Sequence, residues 1–241
     1  ALPISNEFID AAIDAEYDGV EFYNLYKHPE LTGRGGLFHK YNAAATIRDL
    51  KEKHIEIPCI DTACDISVTE DFTQILIDQM EIAKNLKVPY VVCIALTDNE
   101  ERIRERLDIL LPAAAERGLV ILIETTGIYA DTKRLRDLME SFASDELGAS
   151  WDMHHPYRDF GESADTTIKN LGAYVKHVHL RDSNDDKSYN LIGEGTLPID
   201  DMMRALSSIN YDGMISMEWK SQWLPDFDDL SIIMPYFINY M

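Results

Sequence analysis

The sequence predicts an α/β fold: a (β/α)8 barrel of the TIM type, lacking or truncated at its first strand, with residues 1–241 as one domain. Three observations predict it. Short β-rich runs alternate with amphipathic helical stretches of ten or more residues, and strands joined by such long crossovers must lie parallel. The repeat is roughly thirty residues, which suits a closed barrel of strand–helix units. No composition shift, Pro/Gly/Ser linker or low-complexity segment interrupts the series, and 46% hydrophobic residues supply a sizeable core.

The elements follow in order. "ALPIS" reads as a loop after a strand that the sequence does not contain, and "NEFIDAAIDAEY" as the first helix. "GVEFY" is a strand, then "HKYNAAATIRDLKEKH" a helix and "IEIPCID" a strand. "EDFTQILIDQMEIAKNLK" leads into "PYVVCIAL", and "TDNEERIRERLDILLPAAAERG" into "LVILIE". A capping box from Thr97 to Glu100 opens the latter helix, because its side chains can satisfy free amides at a helix start. "TKRLRDLMESFAS" precedes "LGASWD", and "ESADTTIKNLG" precedes "YVKHVHLRD". "IDDMMRALSSINY" precedes "GMISMEW", and "FDDLSIIMPYFINYM" closes the chain. The series gives seven strands and eight helices and begins on a helix. Either the N-terminus is trimmed or another segment fills the first strand's place; a seven-stranded open sheet is the alternative architecture.

Composition excludes several classes. The formal charge of −21 disfavours a nucleic-acid partner, since phosphate binding needs a basic face. No apolar run reaches the eighteen or so residues that span a bilayer, so no membrane association is expected. The start lacks the basic and apolar regions of a signal peptide. Cys59, Cys64 and Cys93 are odd in number and show no CxxC spacing, which reads as free thiols of a cytoplasmic protein. A small neutral or cationic molecule fits an acidic cleft better, and a homo-oligomer stays open.

Chemistry in such a barrel belongs at the C-terminal ends of the strands. Four successive strands end there in a potential ligand: Glu124, Asp152, His179 and Glu218. Each follows a mostly apolar run, where an ionised carboxylate is costly unless paired or metal-bound. One alone would read as a salt-bridged strand end; four at equivalent positions form a converging ring. His177 and His179 share a face, because strand side chains alternate with period two. Three carboxylates and one imidazole suit one divalent ion, Mn2+, Co2+ or Mg2+, and less specifically Zn2+.

The run Glu124…D-M-H-H (152–155)…H-V-H-L-R-D (177–182)…G-E-G (193–195)…M-E-W (217–219) resembles the xylose isomerase-like TIM-barrel sugar phosphate isomerase/epimerase superfamily. The resemblance implies a metal held by Glu124, Asp152, His179 and Glu218, with His155 at the substrate; it assigns His177 no role, and that residue reads as support behind the ligands or as packing. It implies an isomerase or epimerase of a sugar or related polyol. Proton transfer beside the carbonyl would pass through an enediolate, with Glu124 and Glu218 as the proton-relaying pair. The family's arginine six residues past the metal histidine is Asp185 here; Arg181 or Lys187 would have to anchor the substrate, with Lys220 a further cation. Among aromatics, Tyr26 and Trp223 are loop residues suited to stack on a sugar, whereas the pleat turns Trp151 and Trp219 toward the helices. The glycine-containing loop after "GVEFY" reads either as a lid or as plain surface.

Other outcomes share the ring. A keto-sugar, cyclitol or dehydroshikimate-type dehydratase would use the same groups. An endonuclease IV-like DNA repair enzyme would need D-x-H where this chain has Lys187, Ser188 and Tyr189, and histidines that "IPCIDTACDI" and "PYVVCIALTD" lack. A non-catalytic metal-barrel binding module is the remaining class.

Overall fold

The computed structural model describes residues 6–219 and 230–241. In chain order these form α1 (Asn6–Asp14), β1 (Phe22–Tyr23), α2 (Pro29–Thr32), α3 (Ala43–Glu52), β2 (Cys59–Asp65), α4 (Thr73–Leu86) and β3 (Tyr90–Ile94). Next come α5 (Glu100–Ala115), β4 (Val120–Glu124), α6 (Thr132–Phe142), β5 (Leu147–Asp152), α7 (His154–Phe160), α8 (Ala164–Leu171) and β6 (Val175–Leu180). A small hairpin of β7 (Asp182–Ser183) and β8 (Tyr189–Asn190), then α9 (Ile199–Ser208), β9 (Ile215–Met217) and α10 (Leu230–Tyr240), complete the described chain.

Seven strands pair in parallel in the order β1-β2-β3-β4-β5-β6-β9, the sequential order that βα units dictate. Among the described residues this is a curled TIM-barrel sheet of seven parallel strands. Among the described residues β1 and β9 are its two edges. Between them lies a cavity of about 740 Å³, lined by Tyr17, Gly19, Glu21, Ile215, Met217 and Phe237 among others. Tyr17 donates to the Met234 carbonyl at 3.1 Å and stacks on Phe237, tying α10 across this gap to the segment after α1.

Period-two alternation explains the two sides of the sheet. Ile121, Ile123, Ala149, Trp151, Val178 and Leu180 join the large core beneath the helices, while Cys59, Val92 and Leu122 form a separate small cluster on the opposite face. Glu124 is two residues beyond Leu122 and so shares that inner face. Trp151 is buried in the outer core, as its place beside Asp152 requires.

Four local features differ from the sequence reading. Asn99, not Thr97, caps α5 by accepting from the Arg102 amide at 3.1 Å, and the Thr97 hydroxyl bonds to Ser67 instead. The short helices α2 and α7 and the β7–β8 hairpin were not expected. The three cysteines are free and buried, and no described helix is long and apolar enough to cross a membrane.

Candidate active site at the strand C-termini

Register brings the ring together. Asp152 pairs directly with His179 across β5 and β6, and His179 with Ser216 across β6 and β9. The Glu218 amide donates to the Leu180 carbonyl at 3.0 Å, continuing the ladder one residue past β9. Ligand atoms of Glu124, Asp152 and His179 all lie within 4.8 Å of one another. His179 Nδ1 is 3.5 Å from a Glu124 oxygen, and it is buried without a hydrogen-bond partner.

Glu218 joins the ring through an arginine. Arg181 donates from Nη1 to Glu218 Oε2 at 2.6 Å, and from Nη2 to Asp152 and to His155 Nε2 at 2.7 Å. A guanidinium only donates, so His155 Nε2 accepts and its proton sits on Nδ1, 2.6 Å from Asp159. Lys187 binds the other Asp159 oxygen at 2.8 Å and thus lies one contact behind His155. Of the sequence-predicted residues, Glu124, Asp152, His155, His179, Arg181 and Glu218 therefore converge. Tyr26 stands exposed on the 3₁₀ turn Leu25–Lys27. Trp223 and Lys220 lie outside the described residues. Trp219 is half-buried and lines the cavity between β9 and β1.

The charge balance is strained. Burial opposes ionisation of Asp152, yet Arg181 and then the nearby histidines hold its carboxyl below the ordinary range. Its Oδ1 also accepts the His154 amide at 2.8 Å at the start of α7, where helix amides favour an anion. Burial, Glu124 and Glu21 push the Asp61 carboxyl up to about 8, so this mouth holds more carboxylates than cations to match them. Burial opposes a charge on His179, but the Glu21 charge, then the neighbouring Cys59 and Glu124, hold its imidazole well above its ordinary range. Burial pulls His154 down to about 4, and neither of its ring nitrogens has a partner.

Sequence reasoning missed Glu21, Asp61, His154 and Asp159. Glu21 interrupts an otherwise apolar strand, and Asp61 ends "IEIPCID" much as Asp152 ends "LGASWD"; both signals were present. Asp159 needed α7 to be seen, since only a helix brings residue i+4 back onto His155.

Arg158, from α7, ion-pairs with Asp185 at 3.0 Å and donates to the Ser183 carbonyl. This cation is spent on tying down the loop after β7. The carboxylate of Asp182 accepts the amides of Ser183, Gly193 and Gly195 at 2.7–3.0 Å, which explains the H-L-R-D…G-E-G spacing as a clamp on that loop.

A family described as the xylose isomerase-like TIM barrel matches residues 9–231. An uncharacterised protein of Methanocaldococcus jannaschii, MJ1311, is 28% identical over 130 residues, 52% of this chain and 44% of that protein's length. Among solved structures, the probable 3-DHS dehydratase AsbF of Bacillus anthracis superposes with a TM-score of 0.78 at 15% identity, covering 100% of this chain and 95% of that one. The IOLI protein, solved with a zinc atom, gives 0.77 at 18% identity, covering 97% and 91%. The 3-keto-D-glucoside 4-epimerase YcjR of E. coli gives 0.69 at 16% identity, covering 89% and 85%. At these identities the structures speak to the fold alone. The family match spans nearly the whole chain and includes the residues of the ring: this protein belongs to the xylose isomerase-like TIM barrel family.

Proposed function

We propose that the protein is a divalent-metal-dependent isomerase or epimerase of a keto-sugar or related polyol, with residues 1–241 acting as one domain. The observation that carries this is His179 Nδ1, buried, without a hydrogen bond and 3.5 Å from Glu124, in a ring where, among the described residues, three carboxylates meet only Arg181 and His179 as cations. An imidazole nitrogen that makes no hydrogen bond, beside Glu124 and Asp152, fits a divalent ion bound by oxygen and nitrogen donors. Glu124, Asp152 and His179 would hold it, with Glu218 as the fourth ligand once Arg181 releases that carboxylate. When bound, the ion stabilises the negative charge that develops on substrate oxygens as a proton leaves the carbon beside the carbonyl.

The chain's own groups do the rest. Glu124 and Glu218 reach the ring from β4 and the end of β9, strands well apart in the sheet order, as removal and return of a proton on different sides require. His155 Nε2, oriented by Asp159, presents a lone pair that can accept from a substrate hydroxyl when Arg181 moves away. Family membership and the zinc reported for the IOLI protein support the metal reading. Mn2+, Co2+ or Mg2+ suits the carboxylate-rich set, and Zn2+ is also compatible.

The test is solvent-deuterium exchange with free and phosphorylated keto-sugars, using metal-saturated wild type, Glu124→Gln and Glu218→Gln. Wild type should convert a substrate and incorporate deuterium next to the carbonyl. Each variant should lose at least the ~10²-fold that a general base contributes, while one of them still exchanges the proton without net conversion. Near-normal turnover in both would transfer the base role to His155. Release of water with formation of an enone would instead assign the dehydratase reaction.

A further inference from the structure

We propose that Glu21 is a positioning residue that fixes which nitrogen of His179 faces the ring, a role that rests on the metal reading above. Glu21 lies immediately before β1 and reaches β6, and β1 and β6 do not pair with each other. Both its oxygens lie 3.1 Å from His179 Nε2, and Oε2 also lies 3.1 Å from His177 Nε2. A carboxylate only accepts, so it takes an N–H from each imidazole at once. The proton that His179 keeps is thereby held on Nε2. Nδ1 is left to the Glu124 and Asp152 side, where it makes no hydrogen bond and where its proton is the one a cation would displace.

The arrangement has physical consequences. Both histidines are almost fully buried, so water cannot compete for their N–H groups. With a cation on the ring side, an imidazole that turned over would place its N–H against the cation and its lone pair against Glu21, two acceptors facing each other. A carboxylate behind a ligating imidazole also increases its basicity and so strengthens the bond to a cation. His177 completes the support: its Nε2 is 2.9 Å from Ser216 Oγ on β9, so one carboxylate and one hydroxyl fasten the H-x-H pair from β1 and β9. Glutamine would not do this, because its amide presents a donor to one of the two imidazoles.

Glu21, Cys59, His177 and His179 also bring ligand atoms within 4.8 Å of one another, so they form a rival ligand set in their own right. Zn2+ in that set would take His179 through Nε2, the nitrogen facing Glu21, so the ligating nitrogen tells the two sets apart.

The experiment is nitrogen NMR of histidine-labelled protein, without metal and with Zn2+, combined with Zn2+ affinity by chelator competition for wild type and Glu21→Gln. In wild type the His179 Nε2–H should persist in both states, and Zn2+ should shift Nδ1. Glu21→Gln should bind Zn2+ about 10–100-fold more weakly, and its Nε2 proton should exchange faster. Zn2+ coordinated through Nε2, or equal affinity in the variant, would overturn the positioning role. Failure of wild type to bind Zn2+ would remove the metal reading itself and this inference with it. The wild-type spectra need no variant, so a misfolded Glu21→Gln still leaves the ligating nitrogen determined.

Discussion

Arg181 is the residue on which the charge of the mouth turns. Its guanidinium is buried against Asp152 and Glu218, and those two carboxylates raise its pKa despite the burial. Removing one partner of a buried pair leaves the other charge uncompensated, at about 3–5 kcal/mol. Arg181→Met should therefore destabilise the metal-free protein by that order in urea unfolding, and saturating Mn2+ should recover much of the loss by neutralising the same oxygens. His154 gives a pH signature. With a folded pKa of about 4 against an ordinary 6.5, only the unfolded state binds this proton between those pH values. Stability then rises with pH across that window and falls on acidification, by up to about 3 kcal/mol. His154→Phe should flatten the difference, measured by urea unfolding of metal-free protein at stepped pH. At this scale the sequence exposed Glu124, Asp152, His179 and Glu218, because strand ends are visible in hydrophobic patterning. It hid Arg181's true place, since nothing in a one-dimensional pattern says that a cation will fold inward onto two ring carboxylates.

Elements carry the loop geometry. Asp182 holds the loop after β7 by three short backbone hydrogen bonds and a longer one from Leu197 at 3.3 Å, and Gly195 approaches so closely that a Cβ would lie 2.2 Å from the Asp182 oxygen. Hydrogen bonds to a charged acceptor contribute about 1.5–3 kcal/mol each before partial replacement by water. Asp182→Ala should cost at least about 3 kcal/mol and make residues 184–197 the first site of limited proteolysis. Unchanged stability with no new cleavage would show that Arg158 alone restrains the loop. The long helices and seven strands were readable because their apolar periods run over many residues. α7 was not: seven residues with Pro156 among them give too little period to read, and its start is set by Asp152 accepting backbone amides. The same weakness misplaced the cap of α5, where Asn99 and Thr97 both had suitable side chains and the tertiary partner Ser67 decided between them.

The whole molecule is strongly acidic, and among the described residues its sheet has an opening between β9 and β1. A net charge of −21 repels itself in the compact state, so melting temperature should rise from about 10 mM to about 150 mM NaCl, as the Debye length falls from about 30 Å to about 8 Å. A flat or falling dependence would mean that local ion pairs such as those of Arg134 outweigh the overall repulsion. Divalent ions should act far more strongly than this screening if the ring is their site. The most direct measurement is titration of metal-free protein with Mn2+, followed by the signal of unbound ion. The account predicts one saturable site per chain, lost in His179→Ala and severely weakened in Asp152→Asn. No saturable binding, three tightly held ions, or full binding retained by both variants would contradict it.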